Sequence, residues 1–558
     1  MAAAIAEFIR FLLTIFTHIC VDIHRMNKSN NNEYDELTKR IGFTSMMELI
    51  CICLFPLILQ CLRSLVCIHF NILSKNRFYL SLIIDYFIIL LPIILLLTLL
   101  SSYIIIIVIS CFVIFLLWLL LPNYNQMNSF GNLHFFPTDI LIAYLRTTIY
   151  ILSCIMIYAI DLPICPRRFA KSELNGVGLM DVGTGLFICA SSISGSKLVW
   201  YMNIYRGNSK RFLDCTLNSV VPCLLLGLLR TLLIQMSNYH QNIVEYGVHW
   251  NFFYTIALIR AISLVVTTEN PISSYLITFS LKKQILFYYV VSSIFLIFSE
   301  FLPIIICPEY FQTRWQFNPR TLHYINDNRS KSLWIANFEG VTSLFGYASI
   351  YFFNLGSSLI FRSYLSTDTN NDSNNGVSSL NKKEFPRNIP LSRLHLICAF
   401  MILCSISCFH SLGGSQMTSR RFGNSNYVLL IIFLSAICFL FLSSMISLLI
   451  HFKSLFNLNL SYSPLSLIIN DKGLLYFIIS NLLTGFFNVF CLNTLHLLPE
   501  RAKLNVITGT YDDLSWTSSL LQFLVLLTYS SLSVIFVLIG SYYDCLKFLT
   551  SSVFGIFK

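Results

Sequence analysis

The sequence predicts an all-α integral membrane protein, a polytopic bundle of about thirteen transmembrane helices. Three observations carry that prediction. Of the 558 residues 56% are hydrophobic and only 11% are charged, which excludes a set of soluble domains. Apolar stretches close to the roughly 20 residues that cross a bilayer recur from residue 46 onward. The interruptions between them are mostly short, so residues 46–558 read as one polytopic domain, preceded by an amphipathic and polar segment, 1–45.

Taken in order, residues 1–25 are apolar but broken by Glu7, Arg10, His18 and Asp22, and they lack a small-residue cleavage site. They are expected to form an uncleaved interfacial helix, followed by a polar stretch from Asn27 to Arg40. Spans are then expected at about 46–70, 78–100, 102–121, 141–161, 177–200, 212–236, 250–268, 284–307, 339–361, 394–413, 427–451, 473–491 and 516–541. Helix is the form each must take, because lipid offers no partner to a backbone N–H or C=O. Asp85, Arg230 and Glu300 stand alone in apolar surroundings and are expected to pair between helices or to snorkel. The longest polar interruptions are 308–338 and the Ser/Asn-rich segment at about 362–392, which reads as a mobile loop.

The net charge of +11 does not point to nucleic acid, since the basic residues are scattered through loops that flank spans and meet lipid headgroups. Counting Lys and Arg on alternate sides gives about 16 against about 15, so charge asymmetry does not orient the chain. The 18 cysteines fall mostly inside spans, without paired CxxC spacing. They read as small buried hydrophobes, with neither a disulfide framework nor a metal site.

Charge, proline and glycine concentrate in Asp161–Gly185, DLPICPRRFAKSELNGVGLMDVGTG. Pro163 and Pro166 restrict the connection, which places Asp161 and Lys171 on two arms of one turn-rich loop. A carboxylate base and an ammonium held together suit acyl transfer to a hydroxyl: one takes the proton, the other stabilises the oxyanion or orients the carboxylate. Arg167 and Arg168 between them suit phosphate, which guanidinium forks bind bidentately. A basic membrane-anchor loop with a solvated Asp161 is the plainer alternative. Gly178, Asp181 and Gly185 share a helical face, so Asp181 is expected to face protein, as a buried interhelical partner or as a substrate ligand. Further polar islands lie at span ends: Glu245–Asn251 with His249, Asn337–Gly340 with Glu339, Arg420-Arg421, and Asn481–Asn488.

Six words in order, PRRFAKSE with GLMDVGTG (166–185), PCLLLGLLR (222–230), EYGVHWNFF (245–253), NFEG with LFGY (337–347), SRRFGNSNYVL (419–429) and NLLTGFFN (481–488), resemble the glycosylphosphatidylinositol inositol acyltransferases of phosphatidylinositol-glycan class W. The resemblance covers most of residues 150–500. It implies an endoplasmic-reticulum, multi-pass enzyme that moves a fatty acyl chain from acyl-CoA to the inositol ring of glucosaminyl-phosphatidylinositol, with no cofactor beyond that co-substrate. On this reading Asp161 and Lys171 are the catalytic pair, with His249 as a rival base. Arg167, Arg168, Asp181, His249, Asn251, Glu339 and Asn481 then serve substrate binding. Phe338 stands where the family pattern usually has a basic residue, which argues against a charge pairing at that position. A secondary transporter or lipid flippase is the alternative, since Gly-interrupted spans with intramembrane charges also describe that class.

Overall fold

A computed structural model describes residues 44–69, 78–120, 137–172, 175–205, 220–237, 245–267, 281–306, 329, 332–365, 391–456, 463–490 and 516–543. The N-terminal segment and most of the expected loop at 362–392 lie outside the described residues. Fifteen helices are numbered here: α1 Met46–His69, α2 Phe78–Asp85, α3 Leu91–Leu97, α4 Ile104–Leu120, α5 Pro137–Ala159, α6 Leu179–Tyr205, α7 Val221–Ser237, α8 Phe252–Thr267, α9 Leu281–Ile306, α10 Phe338–Leu365, α11 Leu391–Ser411, α12 Ser425–Phe456, α13 Pro464–Asp471, α14 Gly473–Phe490 and α15 Trp516–Tyr543. A π-helical turn, Tyr86–Leu90, joins α2 to α3 into one span. Every apolar segment read from the sequence falls on a helix, and no strand occurs among the described residues.

Nine helical stretches among the described residues are long and apolar enough to cross a membrane, and a bent pair makes up to ten. Among the described residues α7 and α8 are shorter apolar helices, and α6 carries serines, glycines and Asp181 in place of uniform hydrocarbon. Those are the helices that border the polar loops described below. Burial divides the rest. The spanning window of α5 is 89% buried and that of α9 only 17%, so α5 forms the protein core while α9 presents Leu286, Val290, Ile294 and Ile297 outward to lipid. Small residues permit the tightest contacts. Gly185 lies against Ile431 and the Tyr427 hydroxyl, and Gly195 against the Tyr351 hydroxyl, bringing α6 close to α12 and α10.

The expected span at 473–491 is α14, and the chain bends sharply just before it. Pro464 starts α13, the Ser463 hydroxyl caps it by accepting from Ser466 N, and at Lys472 the chain turns through 88° into α14. The α13 start faces Asp85, whose carboxylate accepts from Ser463 Oγ (2.7 Å) and Leu465 N (3.1 Å) and pairs with the Arg63 guanidinium. The expected pairing of Asp85 is therefore present, with both side chains sealed from solvent. Glu300 accepts from Ser425 N at the start of α12, while Arg230 is exposed on α7.

Candidate active site

At the end of α5 the backbone winds down through turns closed by Leu162 N to Ala159 O and Cys165 N to Leu162 O, into a 3-10 turn over Arg167–Phe169. The two arginines hold this loop in shape. Arg167 is buried and donates from Nη1 to Ile160 O (2.7 Å), closing the loop on its own start. Arg168 pairs with Glu48 (3.3 Å), donates to Ser101 O (2.8 Å) and lies over the Phe169 ring. Burial pushes the Cys165 thiol up to about 12, so the loop's cysteine stays protonated.

Past the loop, Asp181 sits in the first turn of α6, where a carboxylate is favoured by the helix dipole. Its Oδ2 accepts from Ser172 N and Gly178 N, both at 2.9 Å. Its Oδ1 accepts from Arg420 Nε at 2.7 Å. Asp181 thus faces protein, as its helical face required, and gathers two loops: its own and the 418–424 turn before α12. Gly176 N to Thr418 O (2.9 Å) ties the same two loops by backbone. The Arg420 guanidinium lies 5.6 Å from the centre of the Tyr246 ring, and Lys171 Nζ pairs with Glu245 Oε2 at 2.8 Å. Three separate sequence words therefore meet around one ion-pair cluster.

The fourth word joins from α10. Glu339 is fully buried and pairs with Arg421 Nη2 (2.6 Å) and with Arg329 (2.5 Å). Glu339 thus draws two arginines from segments outside α10, while the Phe338 ring packs on Phe422. Asn337 Oδ1 accepts from His249 N (2.8 Å) and Trp250 N (3.0 Å), fixing the loop before α8. Gly423, at φ +59°, turns against α10 so closely that a Cβ on Gly346 would lie 2.0 Å from Gly423 O. Thr184 accepts a place in the same packing, its hydroxyl bonding Asp181 O and the Tyr427 hydroxyl.

The residues singled out from sequence separate into groups. Lys171, Asp181 and Glu339 belong to this cluster, at one end of the bundle. Asp161 is half-buried at the end of α5 and accepts from Asn488 Nδ2 at 2.7 Å, so Asp161 and Lys171 take different partners. His249 exposes its side chain, and Asn251 is buried, capping α8 through Phe253 N and donating to Gly227 O (2.9 Å). Asn481 lies exposed on α14 and donates to Phe477 O of its own helix. Glu245, Arg420, Arg421 and Asn488 stood in the quoted words but were not assigned roles; an acid and a base in separate loops give no spacing signal. Among the described residues no group of His, Cys, Asp and Glu is arranged to hold a metal ion.

The family model described as GWT1 matches residues 35–511. The "GPI-anchored wall transfer protein 1" of Candida albicans is 28% identical over 67% of this chain and 72% of its own length. Its namesake from Saccharomyces cerevisiae is 28% identical over 62% of this chain and 66% of its own. The human "Glucosaminyl-phosphatidylinositol-acyltransferase PIGW" is 26% identical over 62% of this chain and 66% of its own.

Proposed function

The chain belongs to the GWT1 family, and from that premise we propose that it acylates the inositol ring of glucosaminyl-phosphatidylinositol in GPI-anchor biosynthesis, with acyl-CoA as the donor and no further cofactor. The membrane in which it works is that of the endoplasmic reticulum. The observation that supports this reading best is the meeting of four family-like words at one end of the bundle, around a lysine that remains 23% exposed while the neighbouring Arg420 and Arg421 are 3% exposed.

An inositol hydroxyl is a poor nucleophile at neutral pH, so attack on a thioester carbonyl benefits from a positioned base. Asp161 takes the hydroxyl proton as the oxygen bonds to the carbonyl carbon, and Asn488 orients the carboxylate through its 2.7 Å hydrogen bond. The Lys171 ammonium stabilises the oxyanion that forms. Collapse of the tetrahedral adduct breaks the carbon–sulfur bond, and the CoA thiolate leaves and takes up the proton that Asp161 releases, which restores the base. The His249 side chain, exposed on the loop that supplies Glu245, hydrogen-bonds the hydroxyl-rich acceptor on this reading. Arg167, Arg168, Asp181, Asn251 and Glu339 support the site through the loop contacts given above.

Purified protein in liposomes, supplied with labelled acyl-CoA and glucosaminyl-phosphatidylinositol, tests the reading. Label appears in a lipid product whose acyl group sits on inositol. Lipid flux across the bilayer with no covalent product would replace the enzyme by the transporter.

A further inference from the structure

We propose that Arg420 is a positioning residue that fixes the Lys171 ammonium for acyl transfer through a closed ring of contacts. This rests on the reading that Lys171 acts in that reaction. The ring runs from Lys171 to its chain neighbour Ser172, whose N–H is held by Asp181 Oδ2 at 2.9 Å. Asp181 Oδ1 takes Arg420 Nε at 2.7 Å, and the Arg420 guanidinium lies over Tyr246 at 5.6 Å. Glu245, next to Tyr246, returns to Lys171 Nζ at 2.8 Å. Lys171 is thus held at its backbone on one side and at its ammonium on the other, and Arg420 is the member that couples the two.

Two further bonds keep the frame rigid. Tyr246 O accepts from Gly340 N at 3.0 Å, and Gly176 N donates to Thr418 O at 2.9 Å, so the loops carrying Tyr246 and Arg420 are themselves pinned. Arg420 is 3% exposed. It acts through the lysine tip, which is accessible. A lysine has four rotatable bonds in its stem, and restricting it to one pose before the reaction is what lets a point charge stabilise an oxyanion without reorganisation.

The test uses full-length purified enzyme and steady-state rates against both substrates. Arg420→Lys keeps the charge and loses the fork and the planar stack; Tyr246→Leu loses the stack from the other side; Tyr246→Phe keeps the ring. Arg420→Lys and Tyr246→Leu are expected to lower kcat about tenfold or more with each KM within about twofold, and Tyr246→Phe to restore the wild-type kcat. In a Lys171→Ala background, adding Arg420→Lys is expected to change the residual rate by less than about twofold, because residues that act through one group are not additive. A full multiplicative loss in that background, or a raised KM at unchanged kcat, overturns the proposal. If Arg420→Lys does not fold, Tyr246→Leu and its Phe counterpart decide the matter alone. Wild-type turnover in Lys171→Ala would sink the reading of Lys171 itself, whereas an inactive Lys171→Ala beside fully active ring variants would sink only the role of Arg420.

Discussion

Of the buried carboxylate–arginine pairs among the described residues, Asp85–Arg63 and Asp181–Arg420 are built differently. Asp85 and Arg63 are wholly enclosed, with Ser463 and the start of α13 supplying the remaining hydrogen bonds. Gln60 and Ser466 extend that centre toward α5 through Thr148, so every member is used in joining helices. Asp181 and Arg420 are also buried, but their partners are loops, and the cluster leads to the Lys171–Glu245 pair, whose side chains are 23% and 17% exposed. Burying a charge pair is costly in either place and shows by itself only that the partners must stay together. What separates the two centres is access: one is sealed, and one ends in a reachable ammonium.

That contrast breaks most readily at Asp161. Asp161→Asn, nearly isosteric, is expected to lower kcat by about 10² to 10⁴ with thermal stability unchanged, the range by which a positioned base assists. Rate and melting temperature measured on one preparation check it, and retained turnover with loss in His249→Ala would move the base to His249. Next, Asp85→Ala leaves Arg63 buried without its charge and is expected to cost about 3–5 kcal/mol, read as lost monodispersity and a lower melting temperature in detergent. The double change Arg63→Met with Asp85→Leu should recover most of that stability.

A smaller effect is expected where the loop end meets α10. A side chain at Gly346 collides with the Gly423 carbonyl oxygen, so Gly346→Ala is expected to cost about 1–3 kcal/mol, as overpacking does. Because the displaced turn carries Arg420, transfer activity should fall with it, whereas Gly485→Ala, with open space at the Cβ, should leave both unchanged. The smallest effect concerns the buried Cys165 thiol, pushed up to about 12 from an ordinary 9.0 by burial. It should resist a membrane-permeant maleimide at pH 7.5 in the folded protein and react once the chain is unfolded in denaturant, as peptide mapping would show. Its sign follows from linkage: between pH 9 and 12 the unfolded chain loses this proton first, so stability falls as pH rises through that window.

Much of this arrangement was legible in the sequence, and the part that was not has a physical cause. Hydrophobic length located the long described helices, because lipid forces apolar stretches into one form. The break at Lys472 was missed because Pro464–Asp471 reads as a loop when only apolar length is scored, although Ser463 followed by Pro464 is a helix-start signal. Asp181 was found to face protein from its glycine spacing alone. Its partner was not, since Arg420 lies 239 residues away and only the folded chain brings the two words together. Arg167 and Arg168 read as phosphate ligands, and the structure shows their guanidinium groups closing and anchoring their own loop.

The measurement that bears most directly on the placement of the chemistry is turnover at saturating acyl-CoA and glucosaminyl-phosphatidylinositol, compared between purified Lys171→Ala and the Arg63→Met/Asp85→Leu double variant. The account predicts that Lys171→Ala loses turnover at wild-type stability, while the double variant, once folded, turns over at the wild-type rate per molecule. Full activity in Lys171→Ala together with an inactive but well-folded double variant would contradict it and move the chemistry to the Arg63–Asp85 centre.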